Sequence, residues 1–421
     1  MASNGGMQFK IEFPFLYEHQ QDVLDAIKED NGRGRSYVVK AKRQVGKSIL
    51  AISTLLYFAF KNNDSIGYCL EPTLSQGRRV YKQLVKAVGG EKSKLIKSSN
   101  ATLLEIEFVN GSQILFKSAE QREALRGATV KNSILIIDEA AFIQDDIIDI
   151  LLPIVDASKC PVMYMSTPLF RSGRFYERYM DGEKGNPLVV SFDWQKYNLS
   201  MFLTEEKLNF YRETMTEMKF RSEILGLFLD ELSYVFGDVG KNVGLSKKPA
   251  VYCGIDWSAG GGNDYTAVVF LDEDSHMTDL KYWRDFEPVE LTETIASIIN
   301  EKQSLKRVQV EKNSLGHVYY DLLRKKVRKN LPITEFVTTN ESKRRIIEQL
   351  IKGFETDDIM ILEDHELKRE LQNYGVEKLK NGSYTYNGQN NVNDDMVIAL
   401  ALAYDLTPSH KKENKIRIAL I

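Results

Sequence analysis

Cysteine is scarce: Cys69, Cys160 and Cys253 are the only three in 421 residues, widely scattered and never in a C-x-x-C pair. That pattern excludes a disulfide framework and speaks against a zinc site. Long apolar runs are also missing. None reaches the roughly 18 to 20 residues of a membrane span, and the opening MASNGGMQFK has no signal-peptide core. The expectation is a protein of the cytoplasm that makes no use of a membrane. Charge of one sign is absent too, because 56 Lys and Arg face 59 Asp and Glu for a formal net charge of -3. The total therefore does not announce a nucleic-acid binder. Local runs say more: 322–330 (LLRKKVRKN) and 342–345 (SKRR) are basic, and read either as solvated helix faces or as contacts to a phosphate backbone. No repeat, low-complexity tract, coiled coil or large apolar stripe is visible, so an isolated monomer is expected.

What is present is α/β patterning in two blocks. The N-terminal half alternates short apolar runs with amphipathic stretches, the pattern of a parallel sheet with crossover helices. Strands are expected at Tyr37–Lys40, Ile66–Leu70, Ile134–Ile137 and Val162–Met165, with a type I′ hairpin at Asn110 and Gly111. From Leu203 to Leu229 the chain reads as helical with one apolar face. Residues 236–250 (FGDVGKNVGLSKKPA) have linker composition. Beyond them strands are expected at Val251–Asp256, Tyr265–Leu271, Leu280–Trp283 and Arg307–Glu311, with helices at Val289–Gln303 and Gly316–Val327. The expected division is 1–202 for a P-loop domain, 203–235 for a helical connection, 236–250 for the linker, 251–408 for a second domain and 409–421 for a basic and apolar tail.

The first block carries a nucleotide cradle. Ala41, Lys42, Arg43, Gln44, Val45 and Gly46 join a strand to a helix opened by Lys47 and Ser48. Such a loop aims backbone N–H groups and a helix N-terminus at phosphate oxygens. Lys47 would pair with the outer phosphates of ATP and Ser48 would ligand Mg²⁺. Ala41 stands where the common pattern has its first glycine. The partner motif is SILIIDEAAF, a buried strand that would present Asp138 to Mg²⁺ and Glu139 to a water in line with the terminal phosphate. An acidic helix cap would explain one carboxylate there better than two. Arg43 is the candidate for stabilising transition-state charge, with Arg122 and Arg126 as candidates acting on a neighbouring subunit. Gln20 suits adenine recognition, and Ser166 and Thr167 suit sensing of the terminal phosphate.

The second block carries a carboxylate series. Asp256 ends one apolar strand, Glu311 ends another, and Asp394 and Asp395 open an apolar helix. Taken singly these are a turn aspartate, a paired glutamate and a helix cap. Together they suit two-metal phosphodiester cleavage with Mg²⁺ or Mn²⁺. Asp264 is an auxiliary candidate, and His317 reads as structural.

In this order the motifs resemble the large terminase subunit of tailed bacteriophages, over about residues 13–406. The resemblance rests on Gln20, the loop with Arg43, PTLSQ, the Asp138 and Glu139 pair, STP at 166–168, FRSEILGLFLD, GIDWSAGGGNDYTA, VEKNSLG, ESKRRIIEQL and NDDMVIALALA. It implies a RecA-like P-loop ATPase domain followed by an RNase H-like nuclease domain. It also implies packaging of double-stranded DNA and cutting of the concatemer, with a portal protein and a small terminase subunit as partners. Assembly as a homo-oligomeric ring on the procapsid is implied, in the host cytoplasm and transiently on the portal. By the same resemblance Asp256, Glu311 and the Asp394 and Asp395 pair are metal ligands, and Asn393 replaces a histidine of many members. A two-RecA-domain helicase would need a second such domain after residue 230, and a transposase or resolvase would have no use for Lys47 and Asp138. An ATP-dependent helicase-nuclease of another family is the remaining alternative.

Overall fold

The computed structural model describes residues 15–30, 33–125, 127–230, 235–258, 264–284, 286–312, 316–378, 384–390 and 392–408. They form two compact units: described residues up to 211 with 219–230, and residues 212–218, 235–378 and 384–408. Arg126 and residues 409–421 lie outside the described residues. No helix among the described residues is long and apolar enough to cross a membrane.

The first unit is built on eight strands, β1 (Ser36–Lys40), β2 (Ile66–Glu71), β3 (Ile96–Asn100), β4 (Glu105–Phe108), β5 (Gln113–Ser118), β6 (Leu135–Asp138), β7 (Val162–Ser166) and β8 (Val189–Asp193). Their order is β3-β4-β5-β2-β6-β7-β1-β8. The six from β5 to β8 run parallel. Both faces of such a sheet are covered, which is why these strands read as unbroken apolar runs. Within β1 the period of two divides the side chains: Tyr37 and Val39 enter one core with Leu50 and Ile136, while Val38 enters the other with Ile137 and Tyr164. In register, Asp138 lies opposite Met165 and Lys40 opposite Ser166, so β6, β7 and β1 end side by side.

The hairpin from β4 to β5 forms where expected, but not with a type I′ turn. Only Gly111, at φ +79°, has a positive φ; Asn110 does not. Gly111 N–H donates to Phe108 O, and Phe108 N–H to Ser112 O. That is a three-residue loop whose last residue is left-handed, a second solution an Asn-Gly pair allows. The helical stretch after Leu203 also differs from a single amphipathic helix. It consists of Glu205–Thr214, which buries no residue, the short turn Glu217–Lys219 and a π-helical turn Phe220–Ile224. Leu203 before the helix Glu205–Thr214 and Thr216, Phe220, Ser222, Ile224 and Leu229 after it are buried.

The second unit has β9 (Tyr252–Asp256), β10 (Thr266–Leu271), β11 (Met277–Trp283), β12 (Arg307–Glu311) and β13 (Ile333–Phe336) in the order β11-β10-β9-β12-β13, plus a hairpin of β14 (Tyr374–Lys378) and β15 (Tyr384–Gly388). β9, β10 and β11 form an antiparallel meander; β9, β12 and β13 are parallel. Cys253 and Ile255 of β9 and Val308 and Val310 of β12 share one core with Ile295 and Leu323. Alternation then sends Gly254, Asp256, Gln309 and Glu311 to the other face. There lies the apolar helix Asp395–Asp405, to which Gln309 is tied by a 3.0 Å bond from Nε2 to Asp405 Oδ2. Residues 236–250 belong to this unit, with Phe236 packed on Phe354 and Tyr374.

Candidate functional site

In the first unit the end of β1 runs into the loop 41–46, where Gly46 at φ +92° caps the helix Lys47–Lys61. This places Lys47 and Ser48 at the helix N-terminus, beside the ends of β6 and β7. A cleft of about 650 Å³ opens there, lined by Arg43, Lys47, Ser48, Arg79, Glu139 and Thr167 among others. Lys47 is buried, and its Nζ is 3.3 Å from Glu139 Oε1. Glu139 has a left-handed backbone, φ +46°, which a non-glycine residue adopts only where its surroundings fix it. Ser166 Oγ donates to Glu139 Oε2 at 3.4 Å and accepts from Ala141 N at 3.2 Å, joining the end of β7 to the turn after β6. Asp138 is buried and accepts from Glu139 N at 2.9 Å. Burial and the neighbouring Glu139 push its carboxyl up to about 7, against the pull of Lys47.

Two expected residues turn elsewhere. Gln20 is fully buried with both ends of its amide engaged: Oε1 accepts from Tyr17 N at 3.0 Å and Nε2 donates to Gly46 O at 2.9 Å. Its neighbour His19 reaches Val45 O at 3.0 Å. Here Gln20 braces the phosphate loop rather than offering its amide to a base. Arg43 donates its guanidinium to Glu223, and its N–H to Glu223 O at 2.8 Å. Around that contact the segment 220–229 is tied to the same end of the sheet: Ser222 Oγ donates to Pro168 O, Gln195 Nε2 to the carbonyls of Leu225 and Gly226, and Leu229 N to Leu169 O. Arg122 pairs with Asp146 at 2.8 Å.

Composition of the sequence did not single out Glu71, Arg79 or Glu223. Glu71 ends β2 next to β6 and is buried; its carboxyl is raised well above the usual range by burial and by Asp138 and Glu139.

In the second unit the ends of β9 and β12 and the start of the helix Asp395–Asp405 bring Asp256, Glu311, Asp394 and Asp395 together. Asp256 is 6 % exposed. Burial, a hydrogen bond with Glu311 and the charges of Asp395 and Asp394 raise its carboxyl well above the usual range. Asp395 Oδ2 accepts from Tyr265 N at 2.6 Å, and burial lifts its carboxyl to about 7, Asp264 adding to the rise. Asp394 instead meets Lys343, whose Nζ lies 2.9 Å from its Oδ2 and 2.7 Å from Asn387 Oδ1. One further carboxylate belongs to the cluster. Glu370 is 2 % exposed; its Oε2 accepts from Met396 N at 2.8 Å and Val397 N at 3.2 Å, while Oε1 is buried without a hydrogen-bond partner among the described residues. Burial, then the charge of Asp395, brings it up to about 8. Lys343 lay in the SKRR run, and no local signal marked Glu370. The side chain of His317 is outside what the structure describes.

A third group, Asp272, Asp274 and His276, sits in the turn from β10 to β11. Asp272 is occupied by Ser246 Oγ and the N–H groups of Asp274 and His276, which accounts for it as a turn.

A nucleotide cleft at the end of a parallel sheet and a carboxylate cluster on an RNase H-like sheet define a chain that joins an ATPase to a nuclease. The family model for the terminase large subunit, T4likevirus-type, N-terminal, matches residues 40–223, and that for the terminase RNaseH-like domain matches residues 253–406. The chain belongs to the large terminase family. Among solved structures, the large terminase of a thermophilic bacteriophage is similar at 15% identity with a TM-score of 0.62, covering 92% of this chain and 98% of that one. The same phage protein in complex with ADP gives 0.61 at 15% identity, with the same coverage. Its complex with ATP-gamma-S gives 0.60 at 15% identity, covering 91% of this chain and 97% of that one. At that identity the likeness speaks to fold. No curated protein matches the chain.

Proposed function

We propose that this chain is the motor subunit that hydrolyses ATP to move double-stranded viral DNA into a procapsid and cuts the concatemer. The observation that carries this reading is that each of two separate units brings its own carboxylates to strand ends, one set beside a phosphate loop and the other without one. In the first unit Lys47 and the loop 41–46 hold the phosphates, and Ser48 and Asp138 hold Mg²⁺. Glu139, 3.3 Å from Lys47, orients the attacking water, and Ser166 ties that carboxylate to the end of β7. Thr167 lines the same cleft. The complexes of the thermophilic phage terminase with ADP and ATP-gamma-S support the nucleotide.

In the second unit the donor set is all oxygen, with the carboxyls of Asp256 and Asp395 raised by burial and by neighbouring charges, which fits Mg²⁺ or Mn²⁺. Asp256, Glu311 and Asp395 would hold the ions, which supply activation of water and stabilisation of the leaving oxygen. Asp394 is neutralised by Lys343 and positions rather than ligates. Glu370 clamps the first turn of the helix that carries Asp395. Assembly as a ring on the portal, with a small terminase subunit choosing the DNA, completes the reading; its place is the host cytoplasm.

Cleavage of plasmid DNA in Mn²⁺ tests the assignment. Asp395→Asn is expected to lower cleavage at least a hundredfold, and Asp394→Asn less than tenfold. The reverse order would move the ligand to Asp394.

A further inference from the structure

One wall of the cleft of the first unit begins at PTLSQ and carries on into residues that no motif covers. After β2 the chain passes Pro72 and enters the helix Leu74–Ala87 through a capping box of Thr73 and Gln76. Gly77, Val80, Tyr81, Leu84 and Val85 are the buried face of this helix. Their burial fixes its rotation, so that Gln76, Arg79 and Gln83, spaced three and four residues apart, line the same cleft as Lys47. Gln76 is engaged in the capping box.

Three cations border this cleft, and two have partners. Lys47 pairs with Glu139 and Arg43 with Glu223. Arg79 has no ion pair among the described residues, although its charge reaches Asp138 and Glu71 and opposes the rise of both carboxyls. Those two residues mark the ends of β6 and β2, the side of the cleft away from β1. A phosphate chain that begins on the loop 41–46 and extends toward the ends of β6 and β2 would run toward this guanidinium. Its planar fork suits two phosphate oxygens at once.

We propose that Arg79 grips the outermost phosphate of the bound nucleotide from the wall formed by the helix Leu74–Ala87, so that this site holds a nucleoside triphosphate more tightly than a diphosphate. The proposal rests on reading the cleft as the ATP site. It gives the cleft a cation of its own on the terminal phosphate while Arg43 is held by Glu223. A surface arginine serving only solubility, or one that holds DNA, would not discriminate between the two nucleotides.

The experiment compares binding of ATP-gamma-S and of ADP, each with Mg²⁺, to the full chain and to Arg79→Ala and Arg79→Lys. Arg79→Ala is expected to weaken ATP-gamma-S at least tenfold and ADP less than twofold, with kcat for ATP falling at least tenfold. Arg79→Lys is expected to recover part of the ATP-gamma-S affinity, since it keeps the charge and loses the fork. Preserved ADP binding also shows that the variant is folded. Equal weakening of both nucleotides, or no change in either, overturns the role of Arg79 and leaves the ATP site standing. A wild-type chain that binds neither nucleotide overturns both.

Discussion

Asp256, Asp395 and Glu370 in the second unit ionise less readily than in the unfolded chain. Asp395 is lifted to about 7 and Glu370 to about 8, in each case first by burial. A raised carboxyl contributes stability that is full below the ordinary carboxylate range and is lost as pH rises through the folded value. Without divalent ions, the melting temperature of this unit is therefore expected to fall between pH 5 and pH 8.5. Mn²⁺ competes with protons for the same oxygens, so adding it at pH 8 should restore most of the loss. Thermal melts in EDTA and in Mn²⁺ across this interval check the claim; a melting temperature that rises with pH in EDTA would contradict it. At this scale the sequence was legible wherever chemistry is written locally. Gly46, Lys47 and Ser48 are consecutive, as are Asp138 and Glu139, and Asp394 and Asp395. Arg79, Glu223, Lys343 and Glu370 arrive from other elements and are set by helix rotation or by the path of a loop. Glu223 and Lys343 lie in FRSEILGLFLD and ESKRRIIEQL and Arg79 follows PTLSQ, yet nothing in those stretches says which charge turns into a site. Gln20 shows the converse, because a visible amide beside the loop is used up within the loop's own scaffold.

Among the elements, β9 and the helix Asp395–Asp405 depend on close approach. A Cβ at Gly254 would fall 2.1 Å from Ala399 O and 2.4 Å from Ala403 N. Those are backbone atoms, so the helix as a whole would have to move. Because that helix carries Asp395, Gly254→Ala should separate it from Asp256. The expected result is a loss of about 1–3 kcal/mol in the second unit, seen as an earlier transition on melting, and loss of cleavage with ATP hydrolysis kept. Unchanged melting and cleavage would show that the helix adapts. β9 was readable as an apolar strand ending in Asp256, but the requirement for glycine at its centre was not, since the conflict is with a helix some 145 residues later. Strands buried on both faces, β1, β2, β6 and β7, were visible as apolar runs. β3, whose residues are mostly exposed, and β13, half exposed, lack that signal. The hairpin at Asn110 and Gly111 was visible as a hairpin, yet the dipeptide serves two turn geometries. The stretch 203–229 reads as a helical connection with one apolar face because its spacing is helical. The structure breaks it after Thr214 and widens it into a π turn, where Ser222 and Glu223 find partners around the phosphate loop.

For the whole molecule, the division into a parallel α/β block and a second block of strands and helices was visible in the patterning, while the strand order of neither sheet was. The chain is a large terminase with an ATPase unit and a nuclease unit. That two active sites are separate, one centred on Lys47 and Asp138 and the other on Asp256 and Asp395, is the central claim. The direct measurement is of ATP hydrolysis and Mn²⁺-dependent DNA cleavage side by side in Lys47→Ala and Asp256→Ala. Lys47→Ala should lose at least a hundredfold in ATP hydrolysis and keep cleavage within about threefold, and Asp256→Ala should do the opposite. Loss of both activities in either variant, with the melting curve unchanged, would contradict the account.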